Sequence, residues 1–227
     1  MIKIENDDQL VENFLLDIPI FKGIPENDIK PIARNVKTFR YKKTETLFYQ
    51  GDETMELYIV LNGRLRASLS DENGNEVTLA TFSRGQFLGE MSLFDGSPRS
   101  ATVTAVEDSQ VGILKRESLL ESIRQNPMIA IHILSTLIKR LRETDAMVES
   151  MAFCAVDERL IKLLMQIVKT EGESVGDGFY RIKKLTQKDL ASRIGSSREA
   201  VSKAMQLLSR SKKVVEQQGY FIISPDN

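Results

Sequence analysis

The spacing of hydrophobic positions changes twice along the chain. Residues 8–34 read as short helices, with Pro25 near a helix start. From about 36 to 116 the pattern becomes short apolar runs separated by turn residues. Tyr58-Ile59-Val60-Leu61 leads into Asn62-Gly63, and Asn73-Gly74 stands between Leu69 and Val77-Thr78-Leu79. Both central residues of a tight hairpin turn need positive φ, which Asn-Gly supplies, so each pair predicts a hairpin. Gly51 and Gly85 mark two further turns, and Ala101–Val106 and Val111–Leu114 close the series. Evenly spaced short strands of this kind predict an antiparallel barrel or jelly roll.

From Asn126-Pro127 to about Met151 the period is helical. Leu134, Leu137, Leu141, Thr144, Val148 and Met151 recur at intervals of 3, 4, 3, 4 and 3. Such a stripe is narrower than the face of a helix packed on its own domain, and it predicts a dimerisation helix. Thr144 interrupts the seam, and Asp145 continues the row of Ile131 and Ile138. Polar groups at a seam need partners there. Arg140 lies one turn before Thr144, on the same side of the helix.

A hinge is expected at 153–156, with Asp157 capping a helix over Glu158–Thr170 and a glycine-rich loop over Glu171–Gly178. Residues 185–208 then read as helix–turn–helix. Thr186 caps the first helix, Leu190, Ala191 and Ile194 form its inner face, and Gly195 makes the turn. Ser196 or Ser197 caps the second helix, which Val201, Met205 and Leu208 bury. Arg198, Glu199, Ser202 and Lys203 then face outward. Tyr220–Ile223 after Gly219 suits the strand of a wing.

Charge sharpens this picture. The net charge is −1, yet residues 181–213 hold ten Lys or Arg against Asp189 and Glu199, giving +8, so the remainder carries −9. That asymmetry is the footprint of a DNA-binding module joined to an acidic one. The single Cys154 excludes an internal disulfide framework and a cysteine-held iron–sulfur cluster, and the single His132 argues against zinc. Both read as packing residues. No catalytic constellation and no metal site stand out. The apolar runs are too short to span a bilayer, and residues 1–8 lack the core of a signal peptide. A cytoplasmic protein with no membrane partner is expected.

The densest chemistry lies in residues 87–101, Phe-Leu-Gly-Glu-Met-Ser-Leu-Phe-Asp-Gly-Ser-Pro-Arg-Ser-Ala. Glycine and proline force tight turns, which point backbone N–H groups one way and cradle anions. Arg99 can clamp a phosphate with its planar fork, and Glu90 can accept from sugar hydroxyls.

This run resembles the phosphate-binding cassette of cyclic-nucleotide-binding domains. The Ser-Arg-Glu start at 197–199 is similar to the recognition helix of the cyclic-AMP receptor protein/fumarate-nitrate regulator superfamily. The resemblance covers nearly the whole chain. It implies an α+β architecture in three parts. These are a cyclic-nucleotide-binding β-barrel or jelly roll over 1–125, a dimerisation helix and hinge over 126–154, and a winged helix–turn–helix over 155–227.

By the same resemblance Gly89, Glu90, Arg99 and Ser100 hold phosphate and ribose, and Thr144 and Asp145 touch the base. Arg140 pairs with Glu90. Thr186, Gln187, Ser197, Arg198, Glu199, Ser202 and Lys203 face double-stranded DNA. Arg198 then reads a guanine bidentately and Glu199 accepts from a cytosine amino group, as groove chemistry allows. Lys203 stands where several relatives have Arg. The implied protein is a homodimeric transcription regulator that answers to cyclic AMP and engages RNA polymerase. Asp145 could equally accept from guanine, so cyclic GMP stays open. Arg99-Ser100 favours one cyclic phosphate over a cyclic dinucleotide. A cyclic-nucleotide-binding regulatory subunit of an enzyme is the alternative of a different class.

Overall fold

Short apolar runs bounded by glycine become strands in the computed structural model, which describes every residue except 1, 5–7, 73, 75, 177 and 225–227. In chain order the elements begin β1 (Ile2–Lys3), α1 (Asp8–Asp17), a 3₁₀ turn (Pro19–Phe21), α2 (Glu26–Asn35), β2 (Lys37–Tyr41) and β3 (Thr46–Phe48). They continue β4 (Leu57–Asn62), β5 (Arg64–Ser70), β6 (Glu76–Ser83), β7 (Phe87–Leu88), α3 (Glu90–Asp95), β8 (Thr102–Ala105) and β9 (Ser109–Leu114). Next come α4 (Arg116–Gln125), α5 (Met128–Phe153) and α6 (Val156–Glu171). The chain ends with β10 (Glu173–Gly176), β11 (Phe179–Lys183), α7 (Gln187–Ile194), α8 (Arg198–Arg210), β12 (Val214–Gln217) and β13 (Tyr220–Ile223). Two compact units form, residues 1–69 with 79–142 and residues 70–78 with 143–227.

The strands of the N-terminal half make two antiparallel sheets, ordered β1-β2-β9-β4-β7 and β3-β8-β5-β6. They form a jelly-roll-like pair rather than a closed barrel. Strand β4 shows why its sequence is continuously apolar. Alternate side chains point to opposite faces, and here both faces are covered. Leu57 and Ile59 join Leu15, Phe21, Ile29, Leu119 and Ile133 in a helical core. Tyr58 and Val60 join Phe48, Leu65, Phe82, Val103 and Val111 in a core built from both sheets. Each such buried side chain contributes about 1.5–3 kcal/mol.

Asn62-Gly63 does not make the expected hairpin. Strand β4 pairs with β9 and β7, whereas β5 pairs with β8 in the other sheet. Gly63 instead turns the chain from one sheet to the next at φ +85°, with its α-carbon so close to Asp108 and Ser109 that a Cβ would lie 2.4 Å from Ser109 Oγ. Asn73 of the second pair lies outside the described residues; β5 and β6, which it joins, are neighbours in one sheet.

Helix α5 buries Ile129 and Ile133 and leaves Ile131, Leu134, Ile138, Leu141 and Val148 between 50% and 61% exposed. Of the expected seam, Leu134, Leu141, Thr144, Val148 and Met151 are exposed, and Leu137 is partly buried against the helical core of its own unit. The row 131-138-145 is exposed beside the row 134-141-148. His132 is partly buried, with Nδ1 3.1 Å from the Ile20 carbonyl oxygen.

In the second unit α6, α7 and α8 share a core with the sheet β10-β11-β13-β12, centred on Leu160, Leu164, Ile182, Leu190, Val201, Leu208, Phe221 and Ile223. Two local expectations are corrected here. Helix α6 starts before Asp157, with Ala155 at the cap position, and the Ala155 N–H donates to Glu158 Oε2 at 3.1 Å. Alanine has no side-chain acceptor, so the third-position carboxylate does the capping. Residues 173–176 are a strand rather than part of a loop, because they pair with β11. Cys154 is partly buried, and Lys162 Nζ donates to its sulfur at 3.0 Å.

Candidate functional site

Two left-handed glycines frame the short helix α3: Gly89 at φ +83° and Gly96 at φ +74°. At Gly89 the requirement is also spatial. A Cβ there would stand 2.6 Å from Arg99 Nη1 and 2.7 Å from the Glu56 carbonyl oxygen. The Gly89 carbonyl in turn accepts from Arg99 Nη1 at 2.9 Å. The C-terminal end of α3 is tied down by Arg116, whose Nε donates to the Leu93 carbonyl at 2.7 Å.

Glu90, the first residue of α3, is 5% exposed. Its Oε1 accepts from Arg140 Nη1 at 3.0 Å. Its Oε2 is buried and accepts no hydrogen bond. A buried acceptor of this kind is costly unless a donor reaches it, and a sugar hydroxyl is such a donor. Arg140 also donates from Nη2 to the Phe87 carbonyl and stacks near the Phe82 and Phe87 rings, at 4.9 and 4.8 Å.

Arg99 is held as tightly. Its Nε donates to Thr54 Oγ1 at 2.8 Å and its Nη2 to the Glu56 carbonyl at 3.0 Å. The guanidinium lies over the Phe48 ring at 4.4 Å and near the Tyr58 ring at 5.2 Å. Burial lowers its pKa and raises that of Tyr58. Arg99 is thus a desolvated cation, aimed by two carbonyls and a hydroxyl, and such a cation interacts with an anion far more strongly than an exposed one. Ser100 is exposed, with Oγ 3.6 Å from Met91 Sδ.

The structure therefore gathers Gly89, Glu90, Arg99, Ser100 and Arg140 about the N-terminus of α3. Thr144 and Asp145 are exposed on α5 and belong to the second unit. The sequence reading missed Phe48, Thr54, Glu56 and Tyr58, which surround Arg99. They lie on β3, β4 and the loop between them, and carry no motif; only the contact with Arg99 marks them.

In the second unit the helix–turn–helix is built as its caps predict. Thr186 Oγ1 accepts from the Asp189 N–H at 3.1 Å, and Ser197 Oγ accepts from the Ala200 N–H at 3.1 Å. Gly195 adopts φ +59° between the helices. Arg159 Nη1 donates to the Ile194 carbonyl at 2.8 Å, satisfying the end of α7. Val201, Ala204 and Leu208 face the core. Thr186, Gln187, Ser197, Arg198, Glu199 and Lys203 are exposed, and Ser202 is half-buried. The Glu199 carboxyl lies below its ordinary pKa, because its own backbone N–H and then the Ser197 hydroxyl donate to it. In the wing, Arg181 pairs with Glu173 at 2.6 Å and Lys184 pairs with Glu216.

Residues 38–126 match the model of the cyclic nucleotide-binding domain, and residues 158–226 match that of the Crp-like helix-turn-helix domain. The cyclic AMP receptor protein of Thermus thermophilus is 32% identical over 191 residues, covering 84% of this chain and 85% of that protein. The cAMP-activated global transcriptional regulator CRP of Haemophilus influenzae is 32% identical over 171 residues, covering 74% and 75%. Among solved structures, the c-di-GMP responsive global regulator CLP of Xanthomonas campestris superposes with a TM-score of 0.78 at 22% identity, covering 89% of this chain and 100% of that one. That last likeness is one of fold.

Proposed function

As this chain belongs to the cyclic-AMP receptor protein (CRP/FNR) family of cyclic-nucleotide-binding transcription regulators, we propose that it acts as a cytoplasmic homodimer switched by cyclic AMP. Glu90 Oε2 accepts from the ribose hydroxyl, Arg99 and Ser100 bind the cyclic phosphate, and Thr144 and Asp145 contact the base. The observation that carries this reading is the orphaned, buried Glu90 Oε2 close to the desolvated Arg99. The pocket supplies one acceptor and one cation, which a sugar hydroxyl and a phosphate complement.

The α5 stripe from Ile131 to Val148 is the dimer face, where two copies bury what one leaves exposed. Ligand at the base of this helix biases how two copies run together, and so how their recognition helices are spaced. Dimer symmetry calls for a near-palindromic site with half-sites about 34–36 Å apart. Arg198, Glu199, Ser202 and Lys203 read base edges, Thr186, Gln187 and Ser197 hold the backbone, and RNA polymerase is the partner once DNA is bound.

Cyclic GMP is a second reading, favoured by the exposed Asp145 carboxylate, which can accept from two guanine N–H groups. Isothermal titration with cyclic AMP, cyclic GMP and cyclic di-GMP, repeated for Asp145→Ala, separates these. Cyclic AMP is expected to bind, to weaken on Asp145→Ala, and to tighten binding in a gel shift. Preference for another nucleotide replaces the effector, and indifference of DNA binding to every nucleotide removes the switch.

A further inference from the structure

Arg99 meets a carboxylate from outside the cassette, that of Glu56. A guanidinium has five N–H donors. On Arg99 three are committed to fixed or buried groups: Nε to Thr54 Oγ1, one on Nη1 to the Gly89 carbonyl, and one on Nη2 to the Glu56 carbonyl. A bidentate phosphate needs two N–H groups; the other two lie one on each terminal nitrogen, and the Tyr58 hydroxyl is also within reach of the guanidinium. The one on Nη2 already faces an anion, the Glu56 carboxylate, whose Oε2 is 3.4 Å away.

We infer that the Glu56 carboxylate is a built-in competitor for the phosphate at Arg99, and so sets the affinity of the pocket for anionic ligands. This rests on the reading of Arg99 as the phosphate clamp.

The two groups that share Nη2 differ in mobility. The Glu56 carbonyl is backbone and stays, keeping the guanidinium aimed. The Glu56 side chain is 37% exposed, against 1% for Arg99, and can swing into water. At 3.4 Å its contact is long for a charged hydrogen bond, so releasing it costs little. Once released it still stands near the bound phosphate as a like charge, and that repulsion weakens binding. Of the other two acids of this loop, Asp52 is engaged with backbone, its Oδ2 accepting from the Tyr49 N–H at 2.8 Å, and Glu53 is exposed. Glu56 is the acid of this loop whose carboxylate forms an ion pair with the guanidinium, at 3.4 Å.

The test is titration of wild type, Glu56→Gln and Glu56→Ala with cyclic AMP and with adenosine, which keeps the base and ribose but has no phosphate. Both variants keep the backbone carbonyl that aims Arg99, and thermal melting checks that they fold. Removing the charge is expected to tighten cyclic AMP by about tenfold and leave adenosine unchanged, with the gain shrinking at high salt. Cyclic AMP affinity that is unchanged or weaker in the variants overturns the inference while leaving the pocket standing. An equal gain for adenosine overturns it as well, since the effect is then not on phosphate. Failure of wild type to bind cyclic AMP overturns the reading of the pocket, and the inference with it.

Discussion

Arg140 and Glu90 meet at 3.0 Å, and the same guanidinium reaches the Phe87 carbonyl, so one residue of α5 anchors both the pocket carboxylate and the strand before it. Arg140→Ala strands a nearly buried charge. Breaking a buried pair costs about 3–5 kcal/mol, and the 22% exposure of the Arg140 side chain reduces this to about 2–3 kcal/mol. Urea unfolding is expected to show that loss, and Glu90→Gln in the same background to recover about half of it. Additive losses in the double variant would deny the coupling.

Arg99→Lys tests geometry rather than charge. An ammonium cannot serve Thr54 Oγ1 and two carbonyls at once, nor stack flat on Phe48. Cyclic nucleotide affinity is expected to fall about a hundredfold by titration calorimetry. Undiminished binding would take the phosphate away from this residue.

Burial on α5 separates two leucines that the heptad spacing treats alike: Leu141 is exposed and Leu137 partly buried. Leu141→Asp places a charge on the exposed face and is expected to give a monomer by sedimentation, with its fold retained. Leu137→Ala removes packing of a partly buried side chain within one chain and is expected to lower stability by about 1–2 kcal/mol without changing the oligomer. A dimeric Leu141→Asp protein would move the interface elsewhere.

Arg198→Ala is expected to relax preference at one base pair of each half-site by about 1–3 kcal/mol, measured by competition with singly substituted sites. Lys203→Ala is expected to weaken all sites more evenly, since an ammonium lacks the bidentate fork. An unchanged profile for Arg198→Ala would take it off the reading face.

What the sequence made legible is what local chemistry decides. Turn glycines, the Thr186 and Ser197 caps and the Glu-to-Arg spacing of 87–101 each act within a few residues, so residue type alone marks them. What it hid depends on partners far along the chain. Asn62-Gly63 has the composition of a hairpin, but whether β4 pairs with β5 is settled by competition from β9, some fifty residues on. The same holds for Leu137, whose spacing fits a seam while its own unit's helical core covers it in part. Thr54 and Glu56 carry no pattern at all, because a loop that grips a guanidinium through one hydroxyl and one backbone carbonyl leaves little trace in residue type.

Strand β4 begins one residue after Glu56 and has both faces covered at positions 57–60. Its amides between β9 and β7 have no local route to solvent, so they should exchange with deuterium only when the whole unit opens. That makes the strand an internal clock. Protection gained at residues 87–101 on adding a nucleotide, in excess of the protection gained at 57–60, would report ordering of the cassette beyond the rise in global stability that binding brings.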